Sequence, residues 1–198
     1  MATKRGNEIP TIDVVLVTVK AGSSADEIAL DTASQIAVSP QTESEDAIRL
    51  VVKGRLIAQK PSTTTLTGNT ITLTDNVLNP ELVKILQGGT VKYWSTADHE
   101  EETDTDGGFG VSSYTPPTVD EVKSITPFVL CAYSAIYNTA GIITGYEKIE
   151  YPNCQGTPVA FNSEDGVFRA PEYTINSAPG EGEAPYKITY VDELPTVS

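Results

Sequence analysis

Thr70-Ile71-Thr72-Leu73-Thr74 places its apolar side chains on one face and its hydroxyls on the other. A period of two is the mark of a half-buried β-strand, one face on a core and one in water. Just downstream the period changes. In Asn79-Pro80-Glu81-Leu82-Val83-Lys84-Ile85-Leu86-Gln87-Gly88-Gly89, the residues Leu82, Ile85 and Leu86 recur at i, i+3, i+4 and form the packing face of a short helix. Asn79 suits the cap, Pro80 the first helical position, Glu81 the positive end of the dipole and Gly88 the left-handed close. So short a helix docks on a sheet and does not persist alone.

Outward from this pair, β-branched runs separated by turn residues dominate, as in a sandwich or barrel and not in alternating β and α units. Strands are expected at Ile12–Val19, Ile36–Ser39, Ala47–Ala58, Leu66–Thr74, Thr90–Ser95, Phe128–Tyr137, Ile142–Tyr151, Phe168–Asn176 and Tyr186–Val191. Asn138-Thr-Ala-Gly141 supplies a hairpin turn, and a second, weaker helix is expected at Ser24–Leu30. The expectation is a mainly β fold, a β-sandwich or barrel with one flanking α-helix, formed by residues 1–198 as a single domain.

Composition narrows function. The 198 residues hold 27 acids against 13 bases, a formal charge of −14, together with 25 threonines, 15 glycines and 13 prolines. A chain this acidic gains nothing by displacing counterions from phosphates, so nucleic-acid binding is not expected. The opening Met1-Ala-Thr-Lys-Arg-Gly-Asn lacks the apolar stretch of a secretory signal. Ser124–Tyr146 is uncharged over 23 residues, but only 14 are apolar and Pro127, Asn138 and Gly141 interrupt it, so two buried strands explain it better than a membrane span. Cys131 and Cys154 permit one bridge but no disulfide framework, and two reduced thiols in a cytosolic product are expected.

An acidic, glycine-rich loop is expected at about 98–127. Asp98, Glu100, Glu101, Glu102, Asp104 and Asp106 put six carboxylates into nine residues, and Glu102-x-Asp104-x-Asp106-Gly107 resembles the start of a calcium loop. Position one is Glu, however, and position twelve is Ser113 where a bidentate Glu is needed. A solvated loop is the plainer reading. Neither a metal nor a cofactor is expected.

Catalysis finds little support. The sole histidine, His99, sits within the acidic run, and no nucleophile elbow, phosphate-cradling loop or dinucleotide fingerprint is present. Cys131 lies in the apolar run Phe128–Ala132, Glu164-Asp165-Gly166 reads as a turn, and Trp94 reads as a strand residue packed at the sheet. No enzyme is expected.

The helix segment Thr74–Gly89, following its threonine-rich strand, resembles that of tail tube proteins of tailed bacteriophages. Tyr146-Glu-Lys-Ile-Glu-Tyr-Pro-Asn-Cys-Gln-Gly156, Asp165–Ser177 and Pro185-Tyr-Lys-Ile-Thr-Tyr-Val-Asp-Glu-Leu-Pro195 are similar to the last strands of major tail proteins from phages of Gram-positive hosts. The resemblance covers chiefly residues 66–94 and 128–195; the acidic insertion after Trp94 matches no pattern of that family.

The resemblance implies a structural virion protein, a major tail tube subunit forming hexameric rings that stack into the conduit for DNA ejection. Its implied partners are its own copies, other tail proteins such as the tape measure and the tail terminator, and genomic DNA in passage without specific binding, with no membrane. Its implied place is the virion tail, assembled in the host cytoplasm. The charge suits this task independently, because an acidic wall repels phosphate at every register. Open strand edges would serve ring closure, long hairpins such as Phe128–Tyr151 would serve ring-to-ring contacts, and Asp98–Asp106 would lie at a ring surface. The alternative is a virion decoration or adhesin-type β-sandwich binding domain.

Overall fold

The computed structural model describes residues 9–22, 27–94, 110–120 and 126–196. Strands β1 (Thr11–Ala21), β2 (Glu27–Leu30), β3 (Ala33–Glu45), β6 (Thr63–Asp75), β9 (Phe128–Tyr137), β10 (Ile143–Gly156), β11 (Glu172–Ser177) and β12 (Lys187–Val191) form one eight-stranded sheet. The order is β2-β1-β9-β10-β11-β6-β3, with β12 also on β10, and every pairing is antiparallel. Two separate ribbons pair β4 (Ile48–Val52) with β5 (Arg55–Lys60) and β7 (Thr90–Tyr93) with β8 (Val111–Thr115).

The sheet curls around a main core. Val17 and Val19 of β1, Phe128 and Leu130 of β9, and Tyr151 and Cys154 of β10 meet Ile71 and Leu73 of β6 and Tyr173 and Ile175 of β11. On β6 and β11 the alternate neighbours Thr72 and Thr174 are half-buried, as a period of two requires, whereas on β1 and β9 the opposite face is covered as well: Leu16, Cys131 and Tyr133 form a second, smaller buried cluster and Thr18 is fully buried. The architecture is mainly β with one flanking helix, and the sheet does not close into a barrel, since its end strands β2 and β3 are not paired with each other.

Helix α1 (Pro80–Gln87) closes the core. The Asn79 side chain accepts from the amides of Glu81 and Leu82 at 3.0 and 3.1 Å, and the Gly88 amide donates to the Lys84 carbonyl at 2.8 Å. Gly88 has φ +80, which a side chain rarely adopts. Leu82 and Leu86 are buried, Ile85 is half-buried against the same core, and Val83 joins them fully buried. The helix lies so close to β10 that a Cβ on Gly156 would sit 2.5 Å from the Leu86 backbone.

Several expectations need correction. The run Ala47–Ala58 is not one strand but two, turning at Lys53-Gly54 with φ +48 and +77; Val52 pairs Arg55, the two-residue loop that suits a right-twisted hairpin. Glu27–Leu30 is not helical, because its backbone pairs β1 from Val17↔Leu30 to Lys20↔Glu27. Strand β11 begins at Glu172 and not Phe168, and Val111–Thr115 within the expected loop is the strand β8. Trp94 lies just past the end of β7 at Tyr93 and is 41% exposed. The hairpin of β9 and β10 lies in the middle of the sheet, and its turn forms as expected: Asn138 Oδ1 accepts from the amides of Ala140 and Ile142, and Gly141 has φ +76.

Candidate assembly surface

The alternation that buries Asn69, Ile71, Leu73 and Asp75 stops at Gly68. From there to Thr63, β6 pairs only with β3, through Gln41↔Gly68 to Glu45↔Thr63, and the two strands leave the sheet as a ribbon. The exit is tight. A Cβ on Gly68 would meet the Ser177 carbonyl oxygen at 2.3 Å, where β11 ends its pairing at Ser177↔Asn69. The Asn69 side chain anchors the exit from inside, its Nδ2 donating to the Pro185 carbonyl at 3.0 Å.

Along the ribbon the contacts are polar and exposed: Ser44 with Thr64 at 3.1 Å, Thr67 donating to the Gln41 carbonyl at 3.1 Å, and Lys60 paired with Glu45 at 2.8 Å. An exposed ion pair of this kind contributes about 0–1 kcal/mol. The ribbon runs into β4 and β5, giving an arm that ends at Lys53-Gly54. At about 3.3 Å per residue, the stretch from Gln41 to Val52 reaches roughly 40 Å.

The tip of the arm is apolar and open. Ile48, Leu50, Val51, Val52, Leu56 and Ile57 are between 48 and 66% exposed. Leu50 pairs Ala58 and Val51 pairs Leu56, so successive cross-strand pairs place apolar side chains on both faces. Six large exposed hydrophobics on one ribbon are a contact surface and not scattered singletons. A smaller apolar patch, Tyr186, Ile188 and Tyr190, lies at β12, which among the described residues pairs only with β10.

Elsewhere the chemistry is quiet. Cys131 and Cys154 are free and buried; burial pushes the Cys131 thiol up and the Cys154 thiol up to about 12, which makes both poor nucleophiles. Glu164-Asp165-Gly166 is a turn, with the Val167 amide donating to the Glu164 carbonyl at 3.4 Å. Among the described residues no cluster of three or more His, Cys, Asp or Glu side chains could hold a metal, and no helix is long and apolar enough to cross a membrane. Asp98, His99, Glu100, Glu101, Glu102, Asp104 and Asp106 lie outside the described residues. Sequence reading missed the arm because Lys-Gly is a weaker turn signal than Asn-Gly or Asp-Gly. The usable signal was six large aliphatic residues within 48–57 with no second strand assigned to cover them.

No protein-family model and no curated protein matches the chain. Among solved structures it is similar to a chain of the sheath–tube complex of an extracellular contractile injection system (PVC) in the extended state, at 15% identity and a TM-score of 0.37, covering 94% of this chain and 95% of that one. It is also similar to a chain of the tube-terminating cap of the anti-feeding prophage, at 11% identity, TM-score 0.37 and 96% and 99% coverage. A chain of the six-fold-symmetrised baseplate of the anti-feeding prophage is similar at 8% identity, TM-score 0.36 and 93% and 94% coverage. Likeness at this level assigns neither family nor function.

Proposed function

We propose that this chain is the repeating subunit of a phage-type tail tube, joining its own copies in hexameric rings that stack into a conduit for genomic DNA. The observation that carries the reading is the arm: six large exposed hydrophobics on both faces of a ribbon that pairs with no other strand among the described residues. An isolated two-stranded hairpin is marginal in water. Burying the arm between neighbouring copies supplies the missing cover, at about 25 cal/mol for each Å² of apolar surface removed from water. The outer edges of β2 and β3, which pair with no further strand among the described residues, offer backbone groups for ring closure. Charge supplies the second requirement of a conduit, because a wall rich in carboxylates gives a passing polyanion no sticking point; at physiological salt only groups within about 8 Å of the DNA act on it.

In this reading the acidic run Asp98–Asp106 lies at a ring surface, and tape-measure and terminator proteins meet the tube at its ends. The subunits assemble in the host cytoplasm into the virion tail, and neither catalysis nor a cofactor is required. Electron microscopy of the purified chain at high concentration tests it. Rings or hollow tubes are expected, and a Leu50→Ser, Val51→Ser, Leu56→Ser triple variant should remain monomeric while melting like the unaltered monomer. A chain that stays monomeric at every concentration, or a triple variant that still forms tubes, rejects the proposal; a monomer that binds a glycan or surface protein instead marks a decoration or adhesin domain.

A further inference from the structure

Charge is sharply segregated along the chain. Residues 47–74 contain no acid and four bases, Arg49, Lys53, Arg55 and Lys60, while the remainder carries nine bases against 27 acids. Lys60 is paired with Glu45, but Arg49, Lys53 and Arg55 have no ion-pair partner among the described residues. Lys53 and Arg55 flank Gly54 and therefore lead the arm.

A complementary site lies on the body. A cleft of about 340 Å³ opens between the β2–β3 turn, the end of β6 and the start of α1, and Asp31, Asp75 and Glu81 line it beside Leu30, Val77 and Leu78. Asp31 and Glu81 are exposed at the surface, whereas Asp75 is 1% exposed. Asp75 Oδ1 accepts from the Thr32 hydroxyl at 2.5 Å and from the Val77 amide at 3.4 Å. Its Oδ2 is buried with no hydrogen-bond partner among the described residues. Folded proteins rarely leave such an acceptor unmatched, and what it lacks is a donor.

The arm and the cleft stand at opposite ends of one strand pair. The β3–β6 register runs from Ala33↔Asp75, at the cleft, to Glu45↔Thr63, at the base of the arm tip. Thirteen residues at about 3.3 Å each separate the two ends, so a subunit cannot fill its own cleft. We propose that the arm tip of one copy seats in the Asp31–Asp75–Glu81 cleft of the next, Lys53 and Arg55 facing the carboxylates and Val52 and Leu56 facing Leu30, Val77 and Leu78. The proposal rests on the self-assembly reading above and adds a contact and a direction to it. Two different patches at opposite ends make a heterologous, head-to-tail interface, the kind that propagates instead of closing as a dimer. A guanidinium presents a fork of donors that a pair of carboxylates can accept.

The assembly threshold, read by sedimentation and electron microscopy at low salt, tests the contact in three samples. Lys53→Glu, Arg55→Glu in the arm should raise the threshold at least about tenfold, as should Asp31→Lys, Glu81→Lys in the cleft, with circular dichroism confirming that each variant folds. Mixing the two charge-reversed proteins should restore assembly, because a glutamate-tipped arm then meets a lysine-lined cleft. Assembly that ignores either reversal, or a mixture that fails to recover, removes this contact and leaves the subunit reading standing. If the unaltered chain forms no assembly, the subunit reading falls and this contact falls with it.

Discussion

Two antiparallel ribbons of this molecule both carry large apolar side chains and meet opposite fates. The hairpin of β9 and β10 buries Phe128, Leu130, Cys131, Ala132, Tyr133, Ala135, Tyr151 and Cys154, whereas the hairpin of β4 and β5 leaves every residue exposed. Aromatics stand among these side chains in β9 and β10 and only aliphatics in β4 and β5, and both ribbons turn over a left-handed glycine, Gly141 or Gly54. The difference is in the neighbours. Strand β9 lies between β1 and β10, and β10 continues onto β12 and β11, while among the described residues β4 and β5 pair only with each other. Propensity makes a strand, but a second layer decides whether its side chains lie inside a core. An apolar ribbon without that layer is an unfinished core, and we read it as finished by other copies.

The largest expected effect breaks the comparison on the body side. Phe128→Ala removes a side chain that is 2% exposed and should cost about 3–5 kcal/mol of stability, read as a lower urea midpoint of the monomer. The body and the arm are not separate in this sense if the serine triple variant of the arm lowers that midpoint as much. At the junction, Gly68→Ala forces a Cβ against the Ser177 carbonyl, and a shift of β6 from β11 should cost about 1–3 kcal/mol. That loss should also loosen the base of the arm, seen as faster amide exchange at Gln41 through Glu45.

The smallest effect belongs to the arm. Gly54→Ala meets nothing within 4 Å but places a side chain at φ +77, a local cost of about 1 kcal/mol. The global unfolding free energy from urea titration should stay unchanged within about 0.5 kcal/mol, because the arm opens independently of the core, while amides of Ile48–Lys60 exchange faster. A matching drop in global stability would show that the tip is coupled to the body after all.

The parts legible in the sequence are those governed by near neighbours. Thr70–Thr74 alternates because successive side chains of a strand point to opposite faces, and Asn79-Pro80 with Gly88 marks the helix because free amides and carbonyls need caps within a turn. The helix face was legible in part: Leu82 and Leu86 are buried at the expected spacing, but Val83 is buried beside them because α1 is wedged between β10 and the β7–β8 ribbon. Glu27–Leu30 misled because its strand state depends on backbone pairing with β1, which no local pattern announces. Segregation of charge was likewise present in the letters, where no acid falls between 47 and 74, but its meaning was not.

By itself the sequence determined that this is a β-rich, strongly acidic chain with one capped helix, since these follow from composition and from interactions spanning a few residues. Only the tertiary structure decided that the basic, apolar stretch is exposed at one end of β3 and β6 while a buried carboxylate oxygen without a hydrogen-bond partner among the described residues lies at the other. Strand pairing between distant segments fixes which side chains find cover, and that pairing is a property of the whole chain.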